Sequence, residues 1–221
     1  MGVAERRTRE KEALRAKILE ATSRLMVTEG PESVSIRRIA EQIEYSPATI
    51  YLYFKDKAEL IDAICQELFG QMIEELGSVG AEETDPLKRL RIGLRAYIEF
   101  GMSHPNHYLA VFGAPQHVSG TALPDASEAH KLGLEAFDIF RQVIRGCISH
   151  GVLPAGDVET TTHAAWMCLH GITSLMITTY GGPCPVFPDL SAADRDHLID
   201  SALDLLVAGL RNCTLSSFPA A

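Results

Sequence analysis

The chain has 221 residues, 46% of them hydrophobic, a formal net charge of −9 and five cysteines. That is enough apolar material to fill one sizeable core or two small ones, and too much for a disordered chain. No apolar run approaches the length of a membrane span, and the charged start MGVAERRTREKEALR has no apolar stretch behind it to act as a secretory signal.

Residues 1–8 read as a frayed basic arm. From about Arg9 to Thr28, Leu14, Ile18, Ala21 and Leu25 recur at helical spacing, and Glu29-Gly30-Pro31 ends that helix. Ser35 can cap a second helix carrying Ile36, Ile39, Ala40 and Ile43 on one side, with Arg37 and Arg38 outward or flanking. Ser46 and Pro47 open a third, because serine accepts exposed first-turn amides and proline costs nothing at a first helical position. It carries Thr49, Tyr51 and Tyr53 around the apolar Ile50 and Phe54. Asp56 and Glu59 form a capping-box pattern that starts a further helix through Leu60, Ile64, Leu68 and Met72 to about Leu76. Helix, short turn, helix is the geometry that places a second helix in the DNA major groove.

Pro86 opens the next helix, broken at His104-Pro105, and a shorter one covers Pro105 to Phe112. Gly113 to Pro124 reads as a loop at the mouth of a cavity. Asp125 to His150 is strongly helical. Asp157 caps a helix running to about Tyr180, and Ser191 with Asp194 box a last one after a Pro-rich loop at 183–188. No segment alternates long enough to be a strand. The expected fold is all-α with about nine helices: a helix-turn-helix domain at 1–60, then a larger helical domain at 61–221. The last two helices are apolar over much of their circumference, which predicts a homodimer built through a four-helix bundle, with intramolecular packing as the alternative.

Charge follows that division. Residues 1–60 hold eleven Lys or Arg against ten Asp or Glu, and residues 61–221 hold nine against nineteen. The acidity belongs to the second part, so Arg37, Arg38, Lys55 and Lys57 can still form a positive face on the first. The cysteines, Cys65, Cys147, Cys168, Cys184 and Cys213, lack paired spacing and are odd in number, which reads as reduced, mostly buried thiols in a cytoplasmic protein. Asp157, His163, Cys168 and His170 come nearest to a catalytic or metal set. His163 and His170 are seven apart and share a helix face, while Cys168 points elsewhere. With no HExxH, GxSxG or Gly-rich phosphate loop, the sequence predicts no enzyme, no metal and no cofactor.

SIRRIAEQIEYSPATIYLYFKDKAEL resembles the helix-turn-helix of the tetracycline-repressor (TetR) family, through Ile39-Ala40, Ser46, Thr49, Ile50-Tyr51, Tyr53-Phe54, Lys57 and Leu60. Trp166-Met167-Cys168-Leu169-His170-Gly171 resembles the Trp-x-x-x-His-Gly element of one C-terminal subclass, and His104-Pro105 with Tyr108 and Phe112 fits it. The departure is Glu44, where the family usually has glycine in the turn: a glutamate there either avoids positive φ or bears strain.

The resemblance implies a repressor that binds a palindromic operator in double-stranded DNA as a dimer and is released by a small-molecule inducer. By the same resemblance Arg37 reaches a base edge, Thr49, Tyr51 and Lys57 contact phosphates, and Ser46 both caps and contacts phosphate. Ala48 and Leu52 offer small or apolar surface to thymine methyls, with packing as the alternative use of Leu52. Tyr53 divides between the groove and the domain core, and Arg38 between the groove and a surface salt bridge. A ligand cavity is expected from Arg95, Tyr97, Phe100, His104, Phe112, Phe140, Trp166, Met167 and His170, with Phe137 beside them. The competing reading is a helical dimeric accessory protein whose helix-turn-helix no longer reads DNA.

Overall fold

The computed structural model describes residues 2–30, 33–113, 127–181, 186–187 and 189–217. Among the described residues the regular elements are nine α-helices: α1 (Val3–Glu29), α2 (Ile36–Ile43), α3 (Pro47–Tyr51), α4 (Lys57–Gly77), α5 (Pro86–Ser103), α6 (Pro105–Phe112), α7 (Glu128–Ser149), α8 (Val158–Thr178) and α9 (Ala192–Asn212). All but Gly113 of the expected loop at Gly113 to Pro124, and most of the Pro-rich loop at 183–188, lie outside the described residues.

Two compact units are present. One comprises Met1–Gly70 and Asn106–Gly133, the other Gln71–Pro105 and Leu134–Ala221. In the first, Ile18, Leu19, Ala21 and Leu25 of α1 meet a core with Ile39, Ala40 and Ile43 of α2, Ile50 of α3, and Leu60, Ile64 and Leu68 of α4, all buried. In the second, α5 packs on α8 and α9, burying Leu90, Leu94, Ile98, Ala165, Leu169, Ile199 and Leu203.

Local chemistry sets most helix starts. Ser35 accepts from the Arg38 amide, Ser46 from the Thr49 amide, Asp85 from the Leu87 and Lys88 amides, Asp157 from the Thr160 amide, and Ser191 from the Asp194 amide in a full capping box. Asp56 Oδ1 accepts from the Glu59 amide at 2.9 Å, but the Glu59 carboxylate reaches back to the Lys55 amide at 2.7 Å, one residue before the anticipated cap.

Three expectations are corrected. The arm at 1–8 is helical from Val3, because Ala, Glu, Arg and Lys are strong helix formers and the Gly2 amide donates to Glu5 Oε2 at 2.9 Å. Tyr53 lies beyond α3, which closes in a tight turn with the amides of Leu52, Tyr53 and Phe54 donating to Thr49 and Ile50 carbonyls. Of the four described cysteines, Cys65 and Cys147 are buried while Cys168 and Cys213 are exposed. Burial pushes the Cys65 thiol up to about 12, with Asp62 adding to it, and the Cys147 thiol up to about 11.

Candidate nucleic-acid interface

The turn between α2 and α3 organises the first unit. Glu44 adopts φ 62° and ψ 41°, making it the one non-glycine residue with positive φ among those described. The Glu44 amide donates to the Glu41 carbonyl and the Tyr45 amide to the Ala40 carbonyl. That is the paired closure of a Schellman motif, with glutamate in the left-handed position that glycine usually fills. The expectation that Glu44 must avoid positive φ or bear strain resolves to the second alternative, at roughly 1–2 kcal/mol for a residue with a Cβ. Lys17 of α1 braces the turn: its Nζ donates to the Ile43 carbonyl at 3.1 Å and sits 5.4 Å from the centre of the Tyr45 ring.

Beyond the turn, Ser46 is joined to Thr49 twice, by its Oγ accepting from the amide at 3.2 Å and by a hydroxyl–hydroxyl bond of 2.9 Å. α3 turns Ile50 inward, and Phe54 behind it is also buried. Ala48, Tyr51 and Leu52 are left exposed, Leu52 at 79%. Thr49, Tyr53 and Lys57 are half-buried. On α2, the Arg37 side chain is 84% exposed and only loosely paired with Glu41 at 3.8 Å. Arg38 is spent differently, on a hydrogen-bonded ion pair with Glu29 at the end of α1. The outer surface therefore carries one extended cation and two large apolar side chains on elements held rigidly from beneath.

Sequence reasoning missed one constellation in this unit. His107 of α6 lies between two helices, its Nδ1 3.4 Å from Glu20 Oε2 on α1 and its Nε2 3.8 Å from Glu67 Oε2 on α4, while Asn106 donates to Glu20 Oε1 at 2.8 Å. The partners are 87 and 40 positions away in the chain, so no local pattern announces them.

The residues expected to line a ligand cavity fall in both units. Phe112 belongs to the first, where its ring lies 4.9 Å from Tyr108 and 6.0 Å from Phe69. In the second, Tyr97 and Phe100 are buried, and the Phe100 ring lies 4.6 Å from His104. Phe140 is half-buried and Met167 is 67% exposed. Trp166 and His170 stack at 5.2 Å, and Phe137 adds its edge to Trp166 at 6.3 Å and lies 4.7 Å from His163. Burial holds His170 below its ordinary value, favouring the neutral imidazole. Arg95 bridges α5 to α9: it bonds Glu99 at 2.8 Å and both Asp196 and Asp200 at 3.0 Å, and Arg91 adds Asp200 and Asp204. Among the described residues no three His, Cys, Asp or Glu side chains are placed to hold a metal ion, and no helix is long and apolar enough to cross a membrane.

A capped helix-turn-helix in one unit, followed by long packed helices in another, defines a helical regulator of the DNA-binding class. Residues 18–64 match the model of bacterial regulatory proteins of the tetR family, and residues 90–206 match that of the tetracyclin repressor-like C-terminal domain. The chain belongs to the TetR family and has the architecture of its ligand-responsive DNA-binding regulators.

It is similar to the fatty acid metabolism regulator protein of Bacillus subtilis, 24% identical over 198 residues that cover 88% of this chain and 94% of that one. It is also similar to the transcriptional regulator AcrR of Shigella flexneri, 27% identical over 215 residues, 95% and 98% of the two chains. The crystal structure of the regulator FadR from Bacillus subtilis in complex with stearoyl-CoA shares the fold at a TM-score of 0.67 and 19% identity, covering 88% of this chain and 98% of that one.

Proposed function

We propose that this protein is a transcriptional repressor that binds a palindromic operator as a homodimer and releases it when a small, largely apolar molecule enters the helical domain. Residues 1–60 act as the DNA-binding domain and 61–221 as the ligand-binding and dimerisation domain. The observation that carries the reading is the outer surface of α2 and α3. Arg37, Tyr51 and Leu52 are turned to solvent while Ile50 and Phe54 beneath them are buried. A folded domain gains nothing from exposing Tyr51 and Leu52 together unless a partner covers them.

Arg37 offers a bidentate fork to guanine, and Ala48 and Leu52 meet thymine methyls. Ser46, Thr49, Tyr51 and Lys57 hold phosphates and fix the register, with Tyr53 supporting them at the edge of the core. Dimerisation through α8 and α9 is supported by their exposed Met167, Leu175 and Leu205. The stacked Trp166 and His170 support assignment to the Trp-x-x-x-His-Gly subclass. The relatives' names, one a fatty acid metabolism regulator and one crystallised with stearoyl-CoA, support an apolar inducer.

Selection of bound sequences from random duplex DNA, followed by titrations at two salt concentrations, tests the reading. Enrichment of a palindrome with steep salt dependence is expected. Absence of enrichment by protein refolded free of bound small molecules would leave the helix-turn-helix without a reading role.

A further inference from the structure

Half of α1 has no structural task inside its own unit. The helix is 27 residues long, about 40 Å. Its anchoring begins at Ile18 and Leu19, whereas residues 4–13 are exposed and Leu14 is only half-buried. A helix segment with no large apolar side chain draws little stability from packing and persists through propensity and local contacts, here a hydrogen bond from the Gly2 amide to Glu5 and an ion pair of Arg6 with Glu10.

Three of the cations on that segment are aligned. Arg7, Lys11 and Arg15 follow one another at intervals of four, which aligns them along one side over about 12 Å. Glu5, Glu10 and Glu12 lie to either side of that line, together with Arg6, which pairs with Glu10, and Arg9. Arg7 and Lys11 make no ion pair among the described residues. The root of the stripe is fixed against the helix-turn-helix: the Arg15 guanidinium lies 5.5 Å from the centre of the Phe54 ring, and Lys17 holds Tyr45 and the Ile43 carbonyl. Phe54 is followed by Lys55 and, beyond Asp56, by Lys57. The cationic line therefore starts at the edge of the surface assigned to DNA and runs outward from it.

We propose that the exposed first half of α1 is a second DNA-contacting surface, in which Arg7 and Lys11 grip phosphates of the duplex flanking the half-site read by α2 and α3. The proposal rests on the DNA-binding reading above. Duplex DNA is the occupant that fits: the stripe is cationic, lies on the helix whose Arg15 packs on Phe54 beside Lys55, and carries no large exposed apolar side chain among residues 4–13. Contacts of this kind add affinity and salt dependence without reading sequence. The arm sets how much flanking DNA is needed, and α2 and α3 set which bases are chosen.

The test uses the full-length protein and the duplex that the wild type enriches from a random pool. That duplex is prepared in two lengths, one trimmed to the edges of the selected motif and one with about ten further base pairs on each side, one helical turn of duplex. The wild type is expected to bind the longer duplex more tightly. The Arg7→Gln/Lys11→Gln double variant should bind both lengths alike, keep the same base preference, and lower the slope of log K against log salt by about 2 per protomer. Glu12→Lys should shift length preference and slope the opposite way. All three positions are exposed, so an unchanged circular dichroism melt is expected in each variant. A wild type indifferent to flank length, or a double variant with the wild-type slope, would overturn the arm and leave operator binding intact. Failure of the wild type to enrich any duplex would overturn the DNA-binding reading, and the arm with it.

Discussion

The helix-turn-helix and the helical body build helices by opposite means. α2 and α3 have eight and five residues, too short to persist alone. They are held by a cap at each start, by the Schellman closure at Glu44, and by a few fully buried side chains beneath. α5, α7, α8 and α9 have 18 to 22 residues, bury side chains at points several turns apart, and are tied across by Arg91 and Arg95 to α9 and by Arg141 to Glu159 of α8. The difference concerns where polar groups are spent. In the head they close the backbone locally and leave the outer side chains available. In the body they join one helix to another.

Removing a buried side chain from the head gives the largest expected effect. Ile50 is fully buried under α3, and Ile50→Ala should cost about 2–5 kcal/mol. Denaturant unfolding followed by circular dichroism reads that loss. A loss below about 1 kcal/mol would mean that the caps, rather than the core, hold α3.

Arg37→Ala leaves the fold alone and strikes the outer face. Operator binding should weaken by roughly 1–3 kcal/mol per discriminating contact, with relaxed preference at one symmetric pair of positions. Equal weakening on every sequence would reduce Arg37 to a phosphate contact.

Glu44→Gly sharpens the comparison from the turn. Relief of the left-handed conformation is partly offset by the greater freedom of glycine when unfolded, for a net gain of about 0.5–1 kcal/mol. Loss of a negative charge beside the outer face should also raise DNA affinity at low salt. A melting temperature equal to or below that of the wild type would show that the Lys17 brace had already compensated the strain.

The smallest effect belongs to the body. Burial lowers His170 from its ordinary value of 6.5. Because the folded value lies below the unfolded one, the unfolded chain takes up the proton first as pH falls. The contribution is fully present above 6.5 and is lost as pH drops from there toward the folded value. In a series of thermal melts from pH 7.5 to 5, His170→Gln should lack that component of the decline. A variant that declines in parallel with the wild type would assign the effect to other groups.

Most helix starts were legible in the sequence because they depend on bonds spanning four residues or fewer. Ser35, Ser46, Asp157 and the Ser191–Asp194 box all cap as their spacing predicts, and Pro47, Pro86 and Pro105 each open the helix they announce. The inward stripe of α1 from Ile18 to Leu25 and the buried Ile39, Ala40, Ile43 and Ile50 follow from periodicity alone. What tertiary structure decided is the employment of the long charged side chains. Arg37 and Arg38 are neighbours of one type, yet one extends into solvent and the other pairs with Glu29, because only one faces the end of α1. Arg95 meets carboxylates 101 and 105 positions away, and His107 meets Glu20 from 87. Such partners are chosen by the crossing of helices, which no local pattern encodes. The left-handed Glu44 and the uncovered first half of α1 arise in the same way, one braced by Lys17 from another helix and the other defined by where the core of its unit stops.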